Sequence, residues 1–151
     1  MGIREGMPLL ARHDGEWEGV YTHVDRDGKV IDQHRSRLSC RFPAGEEYDY
    51  RQVNTYTWPD GRTEVHEFPG RYDGYGRMTF DTDRLRGVTW ALDETAIYLT
   101  WTYKSTDPRV DQRLFELILL SPDGRHRTRA WQWLEHGVCV RRTLIDETRV
   151  A

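Results

Sequence analysis

The sequence predicts an all-β protein, an antiparallel up-and-down barrel of about eight to ten strands preceded by a short helix. Three observations predict it. Apolar and polar residues alternate with period two almost from end to end. Short turns rich in Asp, Gly and Pro cut that alternation into pieces of strand length. A chain whose mean hydropathy is only -0.81 nevertheless carries six Trp, eight Tyr and four Phe. Such a chain hides its rings by placing them on one face of each strand.

Pro8 suits the first turn of a helix and opens the one helical stretch, residues 8–13. The first strand, residues 15–24, puts Trp17, Gly19, Tyr21 and His23 on one face. Asp25-Arg26-Asp27-Gly28 then turns the chain, Gly28 supplying a positive φ. In the second strand, residues 30–42, His34, Ser36, Leu38, Cys40 and Phe42 oppose an arginine-rich face. The third, residues 48–58, aligns Tyr48, Tyr50, Gln52, Asn54, Tyr56 and Trp58, so its aromatic face also carries amides. After Pro59-Asp60-Gly61-Arg62 the chain returns over residues 63–68, with Glu64, His66 and Phe68 together, and Pro69 and Gly70 end that strand. Short strands follow at residues 77–80 and 85–92, and residues 95–103 align Ile97, Leu99, Trp101 and Tyr103. Residues 114–120 are apolar on both faces apart from Glu116. Ser121-Pro122-Asp123-Gly124 and Glu135-His136-Gly137 lead into two last strands, residues 125–134 and 138–145, and Asp146-Glu147 beside Arg149 reads as a frayed polar terminus. Consecutive hairpins imply a meander, which curls until its edges meet. The alternative, a sandwich, needs longer crossing connections.

The 151 residues suit one domain, 1–151. Lys plus Arg is 22 and Asp plus Glu 25, a net charge of -3 with both signs interspersed. No basic block exists to neutralise a nucleic-acid backbone. No apolar run approaches the roughly 20 residues of a membrane span, and the N-terminal stretch lacks the apolar centre of a secretory signal. The expected location is cytoplasmic. Cys40 and Cys139 stand far apart with no C-x-x-C pair, so zinc and redox motifs are not indicated. They read as buried thiols, able to pair only in an exported chain. No metal-ligand set and no nucleophile motif is indicated.

Gly15-Glu16-Trp17, after a short helix, resembles the G-x-W signature of the lipocalin and calycin superfamily. That resemblance implies a barrel whose Trp17 closes one end, with an Arg of the last strand packed across its ring. Arg142 is favoured over Arg141 for this structural role because it shares parity with Val138, Val140 and Leu144. The wider string of Gly15-Glu16-Trp17-Glu18-Gly19, Leu85-Arg86-Gly87-Val88-Thr89-Trp90, Arg129-Ala130-Trp131-Gln132-Trp133 and Arg142-Thr143-Leu144-Ile145-Asp146-Glu147 resembles a bacterial lipocalin-like family of unknown function. Thr100-Trp101-Thr102-Tyr103 departs from the Thr-Asp-Tyr signature of lipocalins. Gly15-Glu16-Trp17-Glu18-Gly19 is also similar to the opening of nitrobindin-type haem barrels, a likeness that would make His136 the axial ligand.

A barrel of this size has room for a small ligand. Tyr50, Gln52, Asn54, Tyr56, His66, Trp90, Trp101, Tyr103, Trp131 and Trp133 form an inward set too large and too polar for a dry core. Each buried amide or hydroxyl left unpaired costs about 1–3 kcal/mol, so a ligand or ordered water is expected to satisfy them. The alternative is that the polar face of the third strand looks outward. Glu64 and His66 share a face with Cβ atoms about 7 Å apart, either an acid–base pair or a solvated edge. Glu116 among aliphatics must be paired or shifted in pKa; Arg127 or Arg129 on the neighbouring strand is its expected partner. The sequence thus predicts binding of a small, flat, apolar or aromatic molecule, with Gln52, Asn54, Tyr56 and His66 orienting it and Arg129 in the lining. A second reading is a cofactor-free isomerase, cyclase or hydratase using His66 with Glu64 or Glu116. A third is a haem carrier; otherwise no cofactor is expected.

Overall fold

The computed structural model describes residues 1–150, and its ten strands close into an antiparallel up-and-down barrel. They are β1 (Gly15–Asp25), β2 (Val30–Arg41), β3 (Tyr50–Thr57), β4 (Thr63–Tyr72), β5 (Arg77–Asp81), β6 (Leu85–Ala91), β7 (Ala96–Tyr103), β8 (Gln112–Leu120), β9 (His126–Glu135) and β10 (Val138–Arg149). Each pairs with its sequence neighbour, and β10 pairs back onto β1. Two short helices, α1 (Ile3–Gly6) and α2 (Pro8–Ala11), precede them and bury Ile3, Leu9 and Leu10. Among the described residues no helix is long and apolar enough to cross a membrane.

The turn residues do what their positions require. Gly28 and Gly61 take φ of 81° and 87° in the β1–β2 and β3–β4 turns, a region costly for other residues. Gly19 is demanded for another reason: it lies opposite Glu147 in the β1–β10 ladder, and a Cβ there would collide with Glu147 Cγ and the Asp146 carbonyl. The backbone thereby makes room for a buried carboxylate.

Strand parity sorts the side chains, and it corrects several expectations. Trp17, Tyr21, Leu38, Tyr50, Trp101, Leu114 and Trp131 are buried inside. Trp90, expected to face inward, lies on the outer surface against Tyr98, with ring centroids 4.9 Å apart. The inward positions of β6 are instead Leu85, Gly87 and Thr89, where Gly87 admits Trp101: a Cβ would come within 2.7 Å of the Trp101 Cβ. Arg142 is likewise outward and exposed, because the register of β10 shifts between Cys139 and Arg141 and Thr143, Ile145 and Glu147 face in. Cys40 is buried but Cys139 is exposed, and both thiols are free. β4 runs through Pro69 and Gly70 to Tyr72. Pro69 is tolerated because the β4–β5 ladder begins only at Arg71, so its missing N–H breaks no bond on that side.

Candidate functional site

The barrel interior divides into three levels. At the helix end, Trp17 is fully buried between two guanidiniums, Arg127 at 4.5 Å and Arg149 at 4.4 Å from its ring centroid. Arg149 therefore takes the role expected of Arg142. Its Nη1 and Nη2 donate to the carbonyls of Asp14 and Arg12, each at 2.5 Å, tying the last strand to the N-terminal segment. Trp17 Nε1 donates to the His13 carbonyl at 3.0 Å.

The middle level is a buried ionic network. Glu147 Oε1 accepts from Arg127 Nε at 3.0 Å and from Arg129 Nε at 2.6 Å. Arg129 Nη1 donates to Glu116 Oε2 at 3.1 Å, and its Nη2 to the Tyr21 hydroxyl. Arg129 is thus the partner of Glu116, whereas Glu147 is the centre of the cluster and no frayed end. Burial pushes the Glu116 carboxyl up to about 7, since its one guanidinium is shared with a second carboxylate. Burial acts the same way on Glu147, but Arg127 and Arg129 together override it and hold that carboxyl below its ordinary value.

Beside this network the inward face of β3 satisfies itself. Tyr50 donates to Gln52 at 2.7 Å, Gln52 to Asn54 at 2.8 Å, and Asn54 to the Tyr56 hydroxyl at 2.9 Å. The face does look inward, but its amides pair along the strand, so no ligand is needed to satisfy them. Tyr50, Gln52 and Asn54, together with Glu116 and Arg129, border a void of about 30 Å³, room for about one water.

Above Phe68, Trp101 and Trp131, which line both spaces, a cavity of about 200 Å³ opens at the other end of the barrel. Of the expected lining, Tyr56, His66, Trp101, Tyr103, Trp131 and Trp133 are there, with Glu64 at the rim. Tyr21, His23, His34, Trp58, Phe68, Arg84 and Arg141 also line it and are not among the residues expected from the sequence. The walls are stacked rings: Tyr103 lies on Trp133 at 6.0 Å and 10°, Phe68 on Trp101 at 5.6 Å and 15°, and Arg141 covers Trp133 at 4.3 Å. Trp131 Nε1, Arg141 Nε and His34 Nε2 are buried there without a hydrogen-bond partner in the protein.

At the mouth, Glu64 Oε2 meets His66 Nε2 at 3.2 Å while Arg84 Nη1 reaches His66 Nδ1 at 3.4 Å. Arginine only donates, so Nδ1 accepts and Nε2–H points to Glu64. Across the mouth, His34 Nδ1 pairs with Asp32 Oδ2 at 2.8 Å, and His23 Nδ1 with Thr143 Oγ1 at 2.6 Å. Burial, with Arg141 and His34 nearby, lowers His23 to about 4, so its imidazole is neutral at pH 7. The β1–β2 register creates this cluster by setting His23 opposite Asp32 and Tyr21 opposite His34. His136, the residue expected to hold haem, is exposed in the β9–β10 turn at φ 51° and does not line the cavity, so it does not fit that role.

Residues 7–151 match the family model described as domain of unknown function (DUF3598), N-terminal. The chain belongs to the DUF3598 family. A DUF3598 protein of unknown function from Nostoc punctiforme has a similar structure, with a TM-score of 0.69 and 19% identity over 93% of this chain. The chain spans about half the length of that protein, 49%. An S-type phycobiliprotein lyase from Guillardia theta gives a TM-score of 0.66 at 14% identity, covering 100% of this chain and 94% of the lyase. Rv2717c of M. tuberculosis gives 0.65 at 12%, covering 97% and 98%. At these identities the DUF3598 barrel shares with them a fold. No curated protein matches the chain.

Proposed function

We propose that the barrel binds a small, flat, largely apolar molecule that carries hydrogen-bond acceptors. One observation carries this reading: two residues that line the ring-walled cavity, Trp131 and Arg141, carry buried donors, Nε1 and Nε, that nothing in the protein satisfies. Leaving such groups unpaired costs about 1–3 kcal/mol each, and an acceptor-bearing ligand removes that cost. The size agrees, because 200 Å³ exceeds the roughly 150 Å³ that accommodates benzene. The lipocalin-like architecture supports the reading at the level of fold, as does a phycobiliprotein lyase sharing it.

Binding is favoured over proton-transfer catalysis by two further observations. Both ring nitrogens of His66 are engaged, by Glu64 and by Arg84. Glu116 borders the lower void, behind Trp131, and shares no space with His66. The test uses 2-naphthoate and 2-methylnaphthalene as probes. Both should quench tryptophan emission, with the carboxylate binding about tenfold tighter, as a charge-assisted hydrogen bond allows. Arg141→Gln should erase that preference and keep binding of the hydrocarbon. Absence of quenching by either probe would contradict the proposal.

A further inference from the structure

We infer that His23, Asp32 and His34 form a binding site for a divalent transition-metal ion at the rim of the cavity. The three belong to one hairpin, where His23 stands directly opposite Asp32 and His34 lies two residues further along β2. Residues two apart on a strand share a face, so all three side chains converge on the barrel interior. One ligand atom from each lies within 4.8 Å of the others. Asp32 Oδ2 is 2.8 Å from His34 Nδ1 and 3.9 Å from His23 Nε2. Donors bonded to zinc at about 2 Å stand roughly 3 Å apart, so a small rotation of His23 completes the set. An ion held by His34 Nδ1 would take the place of the proton between that nitrogen and Asp32, and the neutral ring would carry its proton on Nε2 instead.

The surrounding contacts already hold these ligands in place. His23 Nδ1 pairs with Thr143 Oγ1 at 2.6 Å, which leaves Nε2 directed at the carboxylate. Asp32 Oδ1 accepts from Trp58 Nε1 at 2.9 Å, which leaves Oδ2 facing the two imidazoles. Such outer partners fix ring orientation and tautomer at metal sites. His34 is 5% exposed: its ring packs against Tyr21, Tyr56 and Trp58, its Nδ1 meets Asp32, and its Nε2 has no hydrogen-bond partner in the protein. The aromatic packing fixes the ring with Nδ1, the atom that would ligate the ion, turned to the carboxylate. Two imidazoles and one carboxylate suit zinc, cobalt, nickel or ferrous iron over calcium or magnesium, and the remaining positions of the ion would face the cavity. Arg141 on the cavity wall and the His34 ring face His23 together with the Asp32 carboxylate, whose charge opposes theirs only in part.

The test titrates zinc into the full chain at neutral pH by calorimetry, with circular dichroism as the check on folding. One-to-one binding in the micromolar range is expected, weakened at least about tenfold by His23→Gln and by Asp32→Asn. His126→Asn, which removes the exterior His126–Asp146 pair, should leave it unchanged. The inference is overturned if the wild-type chain takes up no zinc at micromolar concentration, or if His126→Asn abolishes uptake while His23→Gln preserves it. Should either rim variant fail to fold, imidazole nitrogen resonances of the wild-type protein decide. Zinc must then shift His23 and His34 and leave His66 and His126 in place; the converse pattern overturns the site.

Discussion

Glu147 receives two guanidiniums in a place closed to water, and the consequences of removing it are asymmetric. Glu147→Ala leaves Arg127 and Arg129 short of a counter-charge, and urea denaturation should show a loss of about 3–5 kcal/mol. Glu64→Gln at the rim, where the pair with His66 is half exposed, should stay within about 1 kcal/mol. Glu116 supplies a pH signature. Its folded value of about 7 lies above its ordinary 4.5, so the folded state holds the proton more tightly. The stability it contributes is fully present below pH 4.5 and is lost as pH rises through 7. Glu116→Gln removes that slope, so stability of the variant relative to wild type should rise by on the order of 3 kcal/mol between pH 4.5 and 7. Paired unfolding curves across that window check it, and identical slopes would contradict it. Glu116 was legible in the sequence because a charge among aliphatics needs an explanation. Glu147 was not, since Asp146-Glu147-Thr148-Arg149 looks like any polar tail until Gly19 is seen opposite it.

Among the elements, β3 shows how period-two alternation reveals a face without revealing its bonding. The alternation puts Tyr50, Gln52, Asn54 and Tyr56 together; only side-chain geometry shows that each donates to the next. Asn54→Ala cuts that chain in the middle and strands the Gln52 amide and the Tyr56 hydroxyl. A destabilisation of about 1–3 kcal/mol is expected, with the fold retained by circular dichroism. β10 misled in the opposite sense. Its apolar Val138, Val140 and Leu144 suggest the inner face, yet they lie outside while Thr143 and Glu147 point in. Hydrophobicity predicts burial poorly where a barrel keeps an ionic interior. The β4–β5 ladder has two register pairs, Arg71 with Thr79 and Tyr72 with Met78, against an unbroken run from Trp17 to Asp25 between β1 and β10. Hydrogen exchange should accordingly be faster for β5 amides than for those of β1, and equal protection would contradict this.

For the molecule as a whole, the barrel was legible because nearly all the strands are joined by short hairpins, and a long meander has one economical closure. The cavity rim was not, because His23 and His34 meet through register, which alternation alone leaves open. The same topology has a kinetic consequence. Hairpins join residues close in sequence, whereas the β1–β10 seam joins the two ends of the barrel, the contact with the longest loop to close. Trp17 sits on β1, and the guanidiniums that clasp it come from β9 and β10. That indole can enter its final surroundings only when the ring of strands shuts, so its burial reports closure of the barrel and not the formation of any single hairpin.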